Sequence, residues 1–160
     1  MGYPLSHRTG RTLAEGSDHP LGATATPDGV NFAVYSRNAR EMFLLLFDRA
    51  EGDPTDVIRL GNRTRFIWHA FVRGIGAGQL YAFKARGDYD PVRGLRFNEN
   101  KLLADPYARA FTGPFRNVDN LLLAYDPGSN GLDLAPDPRD NTRIVPKCIV
   151  TDDRFDWQGV

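Results

Sequence analysis

The sequence predicts an all-β fold, a two-sheet antiparallel sandwich of immunoglobulin-like type followed by a loop-rich strap with one short helix. Three observations predict it. Five or six short apolar stretches follow one another up to Arg86, with turn residues every eight to twelve positions. No helical pattern interrupts them. Past Asp88 the chain becomes rich in Gly, Pro, Asn and Asp, and a tail of that kind packs against something else to be stable.

Each element has a local reason. Residues 1–20 are polar and aperiodic, a strap or mobile tail, and order begins near Leu21. In GVNFAVY, Gly29 to Tyr35, residues Val30, Phe32 and Val34 alternate with Asn31, Ala33 and Tyr35, which is the period of a half-buried strand after the turn Pro27-Asp28-Gly29. EMFLLLF, Glu41 to Phe47, is too short for a helix and reads as a central strand. Val57 to Leu60, Phe66 to Val72 and Gln79 to Arg86 supply further strands. Asp105 suits a helix N-cap and Pro106 a first helical position, so Tyr107 to Phe111 is expected to be a short helix. Leu121 to Ala124 suggests a brief packed segment. Ile144 to Thr151 reads as an edge strand, since Pro146 cannot donate to a ladder.

Composition narrows the function. Twenty basic residues balance twenty acidic ones, and no segment concentrates positive charge, so nucleic acid and anionic membranes are not expected partners. The single cysteine, Cys148, has no internal disulfide partner and fits a reducing, cytoplasmic compartment. There is no signal-peptide or membrane-span pattern. Met1 to Ser6 formally matches a myristoylation pattern, but nothing nearby adds the second signal that stable anchoring needs.

Residue chemistry points away from catalysis and metals. His7, His19 and His69 are scattered without zinc-ligand spacing. The Asp126 to Asp137 stretch imitates a calcium loop at a few positions, yet Gly128 stands where a ligand should and Asp137 replaces the bidentate Glu, leaving a plain turn. Asp152, Asp153 and Asp156 read as a solvated turn, because no rigid scaffold fixes them as a catalytic pair. No cofactor is expected. Cys148, in an apolar strand, reads as a buried, inert thiol.

Several motifs stand in order along the chain: Trp68-His69, Gly76 to Tyr81, Gly87 to Pro91, Phe97 to Ala108 (FNENKLLADPYA), Pro146-Lys147-Cys148 and Phe155-Asp156-Trp157. Together they resemble the N-terminal portion of bacterial glycogen debranching enzymes and isoamylases, over about Leu21 to Trp157. The resemblance implies an early-set sandwich of carbohydrate-binding module family 48 type at 21–96, and at 97–160 a strap leading to a (β/α)₈ barrel of glycoside hydrolase family 13. Such a barrel takes about 250 residues and carries its active site on its own loops. The sequence ends at Val160 before any barrel strand, a cut at the domain boundary being the expected reason. No catalytic residue can therefore be carried over, and the parent's α-1,6 debranching activity is not expected of this chain alone.

The implied partners are the missing barrel and α-glucan, meaning glycogen, limit dextrin or maltooligosaccharide, with weak affinity for the chain alone. Aromatic faces stack on sugars, so Tyr89 and Trp68 are the candidate glucan contacts. Each has a plainer alternative: core packing for Trp68, and loop or interface packing for Tyr89. Tyr81 and Phe83 share a face and read as core. In glycogen-binding relatives a tryptophan follows the last strand near Tyr89, but their second tryptophan falls within Asp48 to Ala50, where no aromatic stands, and Ala82 lies nearest to their lysine. Asn98, Lys101, Asp105, Pro106, Tyr107, Pro146, Lys147 and Trp157 are the implied domain-interface residues. An exposed apolar face where the barrel docks, with a tendency to self-associate, is also expected. A glycogen-targeting module and a bare immunoglobulin-like interaction domain are the competing readings.

Overall fold

A computed structural model describes residues 5–154, so Met1 to Pro4 and the Phe155-Asp156-Trp157 motif lie outside the described residues. Eleven strands are present among them: β1 (Leu13–Ala14), β2 (Gly22–Thr26), β3 (Gly29–Tyr35), β4 (Glu41–Phe47), β5 (Asp56–Arg59), β6 (Asn62–Thr64), β7 (Ile67–Arg73), β8 (Leu80–Arg86), β9 (Tyr89–Asp90), β10 (Leu95–Arg96) and β11 (Cys148–Ile149). One sheet is ordered β1-β7-β3-β2, with β6 also on β7; the other is β11-β8-β4-β5; β9 and β10 form a separate ribbon. Every pairing is antiparallel.

Register follows from side-chain chemistry. Pairing Val30 with Val72, Phe32 with Ala70 and Val34 with Trp68 turns one face of the first sheet inward. Met42 opposite Ala85, Leu44 opposite Phe83 and Leu46 opposite Tyr81 do the same in the second sheet. These residues form the central core. A one-residue slip would move each apolar set to the other face.

The second sheet is buried on its outer face too. Phe43, Leu45, Phe47 and Ala82 point away from the first sheet and pack with Val57, Leu5, Leu102 and Val145 in a second core. That explains the unbroken run EMFLLLF, since a strand covered on both faces needs no polar alternation. Leu5 comes from the N-terminal segment, and Leu102 and Val145 from the strap.

The N-terminal segment is a strap. Arg8 bridges Val57 through two backbone hydrogen bonds of 2.8 and 2.9 Å. Thr9 and Arg11 donate to the Asp56 carboxylate at 2.6 and 3.2 Å, and β1 pairs with β7. Sheets built only from residues 21–96 would lack β1 and β11.

The expected helix at Tyr107 to Phe111 does not form. Asp105 closes a single turn, accepting from the Tyr107 amide at its side chain (2.8 Å) and from the Ala108 amide at its carbonyl (3.1 Å). The chain then runs extended beside β11: the Ala110 carbonyl accepts from Ile149, and the Thr112 amide donates to Lys147. Those backbone groups are therefore unavailable to a helix, and one helical turn cannot compete with them. Helical turns occur elsewhere, as three-residue 3₁₀ segments at Pro91–Arg93, Val118–Asn120 and Leu132–Leu134.

Candidate functional site

The strap is held by buried cations. Lys84, on the outer face of β8, is 1% exposed and donates to Asp140 at 2.8 Å. Lys101 donates to the Asp137 carboxylate and the Arg139 carbonyl, both at 2.9 Å. Burial pushes the Asp137 carboxyl up, but hydrogen bonds from Arg139 and Lys101 outweigh it and hold its pKa below the usual carboxylate range. Asp140 is lowered in the same way, burial being outweighed chiefly by the bond from Lys84. Asn98 donates to the carbonyls of Ala124 and Asp137, and Asn141 joins Leu102 to Leu121. Lys147 is fully buried over the Phe47 ring and donates to the carbonyls of Thr142 and Val145.

The expected interface residues fall into two groups. Asn98, Lys101 and Lys147 turn inward and tie the strap's loops to one another, while Asp105 accepts from Tyr81 of the sandwich. Tyr107 and Pro106 are exposed and Pro146 is half-buried, so these three remain on the surface. The inward turn has a simple cause. A lysine can sit buried against apolar neighbours only where a carboxylate or carbonyl reaches its tip, and the strap supplies those acceptors.

A third fastening ties the strap to the central core. The Tyr81 hydroxyl donates to Asp105 at 2.7 Å, and the Asp105 amide donates to the Cys148 sulfur at 3.3 Å. Burial raises the Asp105 carboxyl despite the bonds it accepts from Tyr107 and Tyr81. The same desolvation pushes the Cys148 thiol up to about 11. A thiol that stays protonated at neutral pH is a poor nucleophile.

The two candidate sugar aromatics part company. Trp68 takes the core alternative: it is 7% exposed, its indole N–H donates to the Ser36 carbonyl at 3.2 Å, and the Arg63 guanidinium lies 4.8 Å from its ring centroid. Tyr89 is half-buried in the β9–β10 ribbon, its hydroxyl donating to the carbonyls of Asp133 (2.8 Å) and Ala135 (3.2 Å). The structure does not bring Tyr89 and Trp68 together. Tyr81 and Phe83, both 1% exposed, are core.

Near the ribbon lies a groove of about 430 Å³ lined by Arg40, Glu41, Arg86, Phe97, Asn98 and Glu99. Its carboxylates are ion-paired: Arg86 donates to both Glu41 and Glu99, and Arg59 also reaches Glu41. Such a cluster presents hydrogen-bonding edges to a ligand. Among the described residues no group of His, Cys, Asp or Glu is arranged to hold a metal, and no helix is long and apolar enough to cross a membrane. Tyr35 and Phe66 are aromatics that strand patterning passed over. They are 57% and 40% exposed. The available signal was Tyr35 itself, an outward-facing residue at the end of β3.

Residues 20–108 match the family model for carbohydrate-binding module 48, the isoamylase N-terminal domain. The glycogen debranching enzyme of Serratia proteamaculans is 40% identical over 146 residues, covering 91% of this chain and 21% of that protein. That of Yersinia enterocolitica is 40% identical over 148 residues, covering 92% and 21%. Among solved structures, the pullulanase from Bacillus acidopullulyticus has a TM-score of 0.53 at 19% identity, over 88% of this chain and 13% of that one. A product complex of the multi-modular glycogen-degrading pneumococcal virulence factor SpuA has a TM-score of 0.52 at 18% identity, over 91% and 13%. These structures share the fold. The chain spans about a fifth of the length of the curated relatives it matches. With two apposed antiparallel sheets, and a family match over more than half its length, the chain belongs to the carbohydrate-binding module 48 family of isoamylase N-terminal domains.

Proposed function

We propose that this chain is the non-catalytic N-terminal module of a cytoplasmic glycogen debranching enzyme, one that hydrolyses α-1,6 branch linkages in glycogen or limit dextrin. The module buttresses the catalytic barrel, shapes the branched-glucan groove and binds glucan weakly on its own. One observation carries this reading. The likeness to debranching enzymes runs over 146 residues at 40% identity, well past the family-matched region at 20–108 and through the strap. A generic sugar-binding sandwich would need no strap.

The surface is consistent with a structural role. The exposed Phe111 and Phe115 stand edge to face at 5.1 Å, close in sequence to Pro106 and Tyr107, and form an apolar patch suited to a neighbouring domain. Native gel electrophoresis of the 160-residue chain with and without glycogen tests the glucan part. Slight retardation that soluble maltooligosaccharide competes away is expected, and strong retardation would favour an autonomous targeting module. Deleting these residues from the parent enzyme tests the buttress. Branch hydrolysis should fall together with thermal stability, and undiminished activity would overturn the reading.

A further inference from the structure

We infer that the Tyr35–Phe66 surface, on the sheet opposite the strap, is an α-glucan contact that stacks a hexose on exposed aromatic rings and fixes it with arginine donors. This rests on the module's proposed contact with α-glucan and adds to it a place on the molecule.

The outer face of the first sheet is covered along most of its length. The Ser17 amide donates to the Asn31 side chain at 2.7 Å, and the Glu15 carbonyl lies 2.8 Å from the His69 ring. That cover stops short of Tyr35. At this end the Tyr35 and Phe66 rings stand edge to face, their centroids 6.2 Å apart. Exposed aromatics offer the apolar surface that a sugar ring face needs, provided they are held still.

They are held still. Ser36 donates its amide to the Phe66 carbonyl at 2.8 Å, and the Trp68 indole donates to the Ser36 carbonyl. Arg65, in a left-handed conformation at φ 56°, closes the β6–β7 turn that presents Phe66. Arg37 and Arg63 lie 5.5 and 5.8 Å from the Phe66 centroid, and Arg63 also donates to the Arg37 carbonyl at 3.0 Å. Stacked guanidinia of this kind are immobilised while their remaining N–H groups stay available. Fixed donors beside a fixed apolar ring suit a neutral polyhydroxyl chain, binding it with little ordering cost.

Backbone NMR of the full 160-residue chain titrated with maltoheptaose tests this. Shifts concentrated at 35–37 and 63–67 are expected, with Tyr35→Ala weakening the association by about threefold to tenfold while circular dichroism stays unchanged. If maltoheptaose binds but the shifts fall on the β9–β10 ribbon, and Tyr35→Ala binds like the parent sequence, this inference fails and the module's glucan contact stands. No shifts at saturating sugar would overturn both.

Discussion

Lys147 should make the module more stable at pH 9 than at pH 7. Its ammonium group is fully buried and donates only to backbone carbonyls, at 2.6 and 2.5 Å. Burial lowers its pKa from 10.5 to about 8, against the opposing pull of Glu51 and Asp140. The unfolded chain therefore holds more protons across this interval, and stability rises with pH. At about 1.36 kcal/mol per pKa unit the charged form costs the fold roughly 3 kcal/mol at neutral pH, of which about 1 kcal/mol is recovered between pH 7 and pH 9. The sign reverses above that window. Cys148, raised from 9.0 to about 11, and Tyr81, raised above its usual 10.0, stay protonated in the fold, so stability falls as the unfolded chain ionises. Urea unfolding at pH 7, 8 and 9 should show the rise in the parent sequence and its absence in Lys147→Met, which keeps an unbranched apolar stem. A flat or falling profile in the parent sequence, or the same slope in Lys147→Met, would refute the assignment.

Three substitutions probe the fastenings. Asp137→Asn leaves Lys101 buried without its carboxylate and should cost about 3–5 kcal/mol in urea unfolding, whereas a loss below about 1 kcal/mol would mean that this pair does not hold the strap's loops together. Asp105→Ala strands the Tyr81 hydroxyl in the core and should cost about 1–3 kcal/mol, read from the unfolding midpoint. A Cβ at Gly87 would sit 2.6 Å from the Phe97 ring; Gly87→Ala should therefore destabilise by about 1–3 kcal/mol, and an unshifted melting temperature would show that the ring gives way freely.

The strands with clear chemistry were legible. GVNFAVY and EMFLLLF have the predicted limits as β3 and β4, because period-two alternation and turn residues act locally. β2, whose sequence is GATAT, is not singled out, because its apolar alternation is weak and it is a strand through its pairing with β3. β1 and β6 are too short to show a period and exist through β7. The helix at Tyr107 to Phe111 failed for the same reason in reverse, as a good local cap lost to pairing with a strand forty residues away. For the site, alternation left Trp68 on either of two faces, and burial decided. The inward turn of Lys101 and Lys147 could not be read at all, because their acceptors lie on loops without periodicity.

The strap's role as a structural part of the module is open to direct test. Removing residues after Ala108, the end of the family-matched region, would strip Leu122, Val145 and Lys147 from the second core, where Phe43, Leu45 and Phe47 are 1%, 0% and 1% exposed in the intact chain. It would also delete β11 and leave Lys84 without Asp140. Full exposure of one such side chain forfeits about 1.5–3 kcal/mol, so even partial exposure of several takes a large share of an ordinary domain's stability. Comparing the thermal unfolding of residues 1–108 with that of the 160-residue chain is the most direct measurement. An aggregated or unfolded fragment beside a cooperatively melting full chain is expected. A soluble fragment with the same melting temperature would show that the strap is merely a passenger on a self-sufficient sandwich.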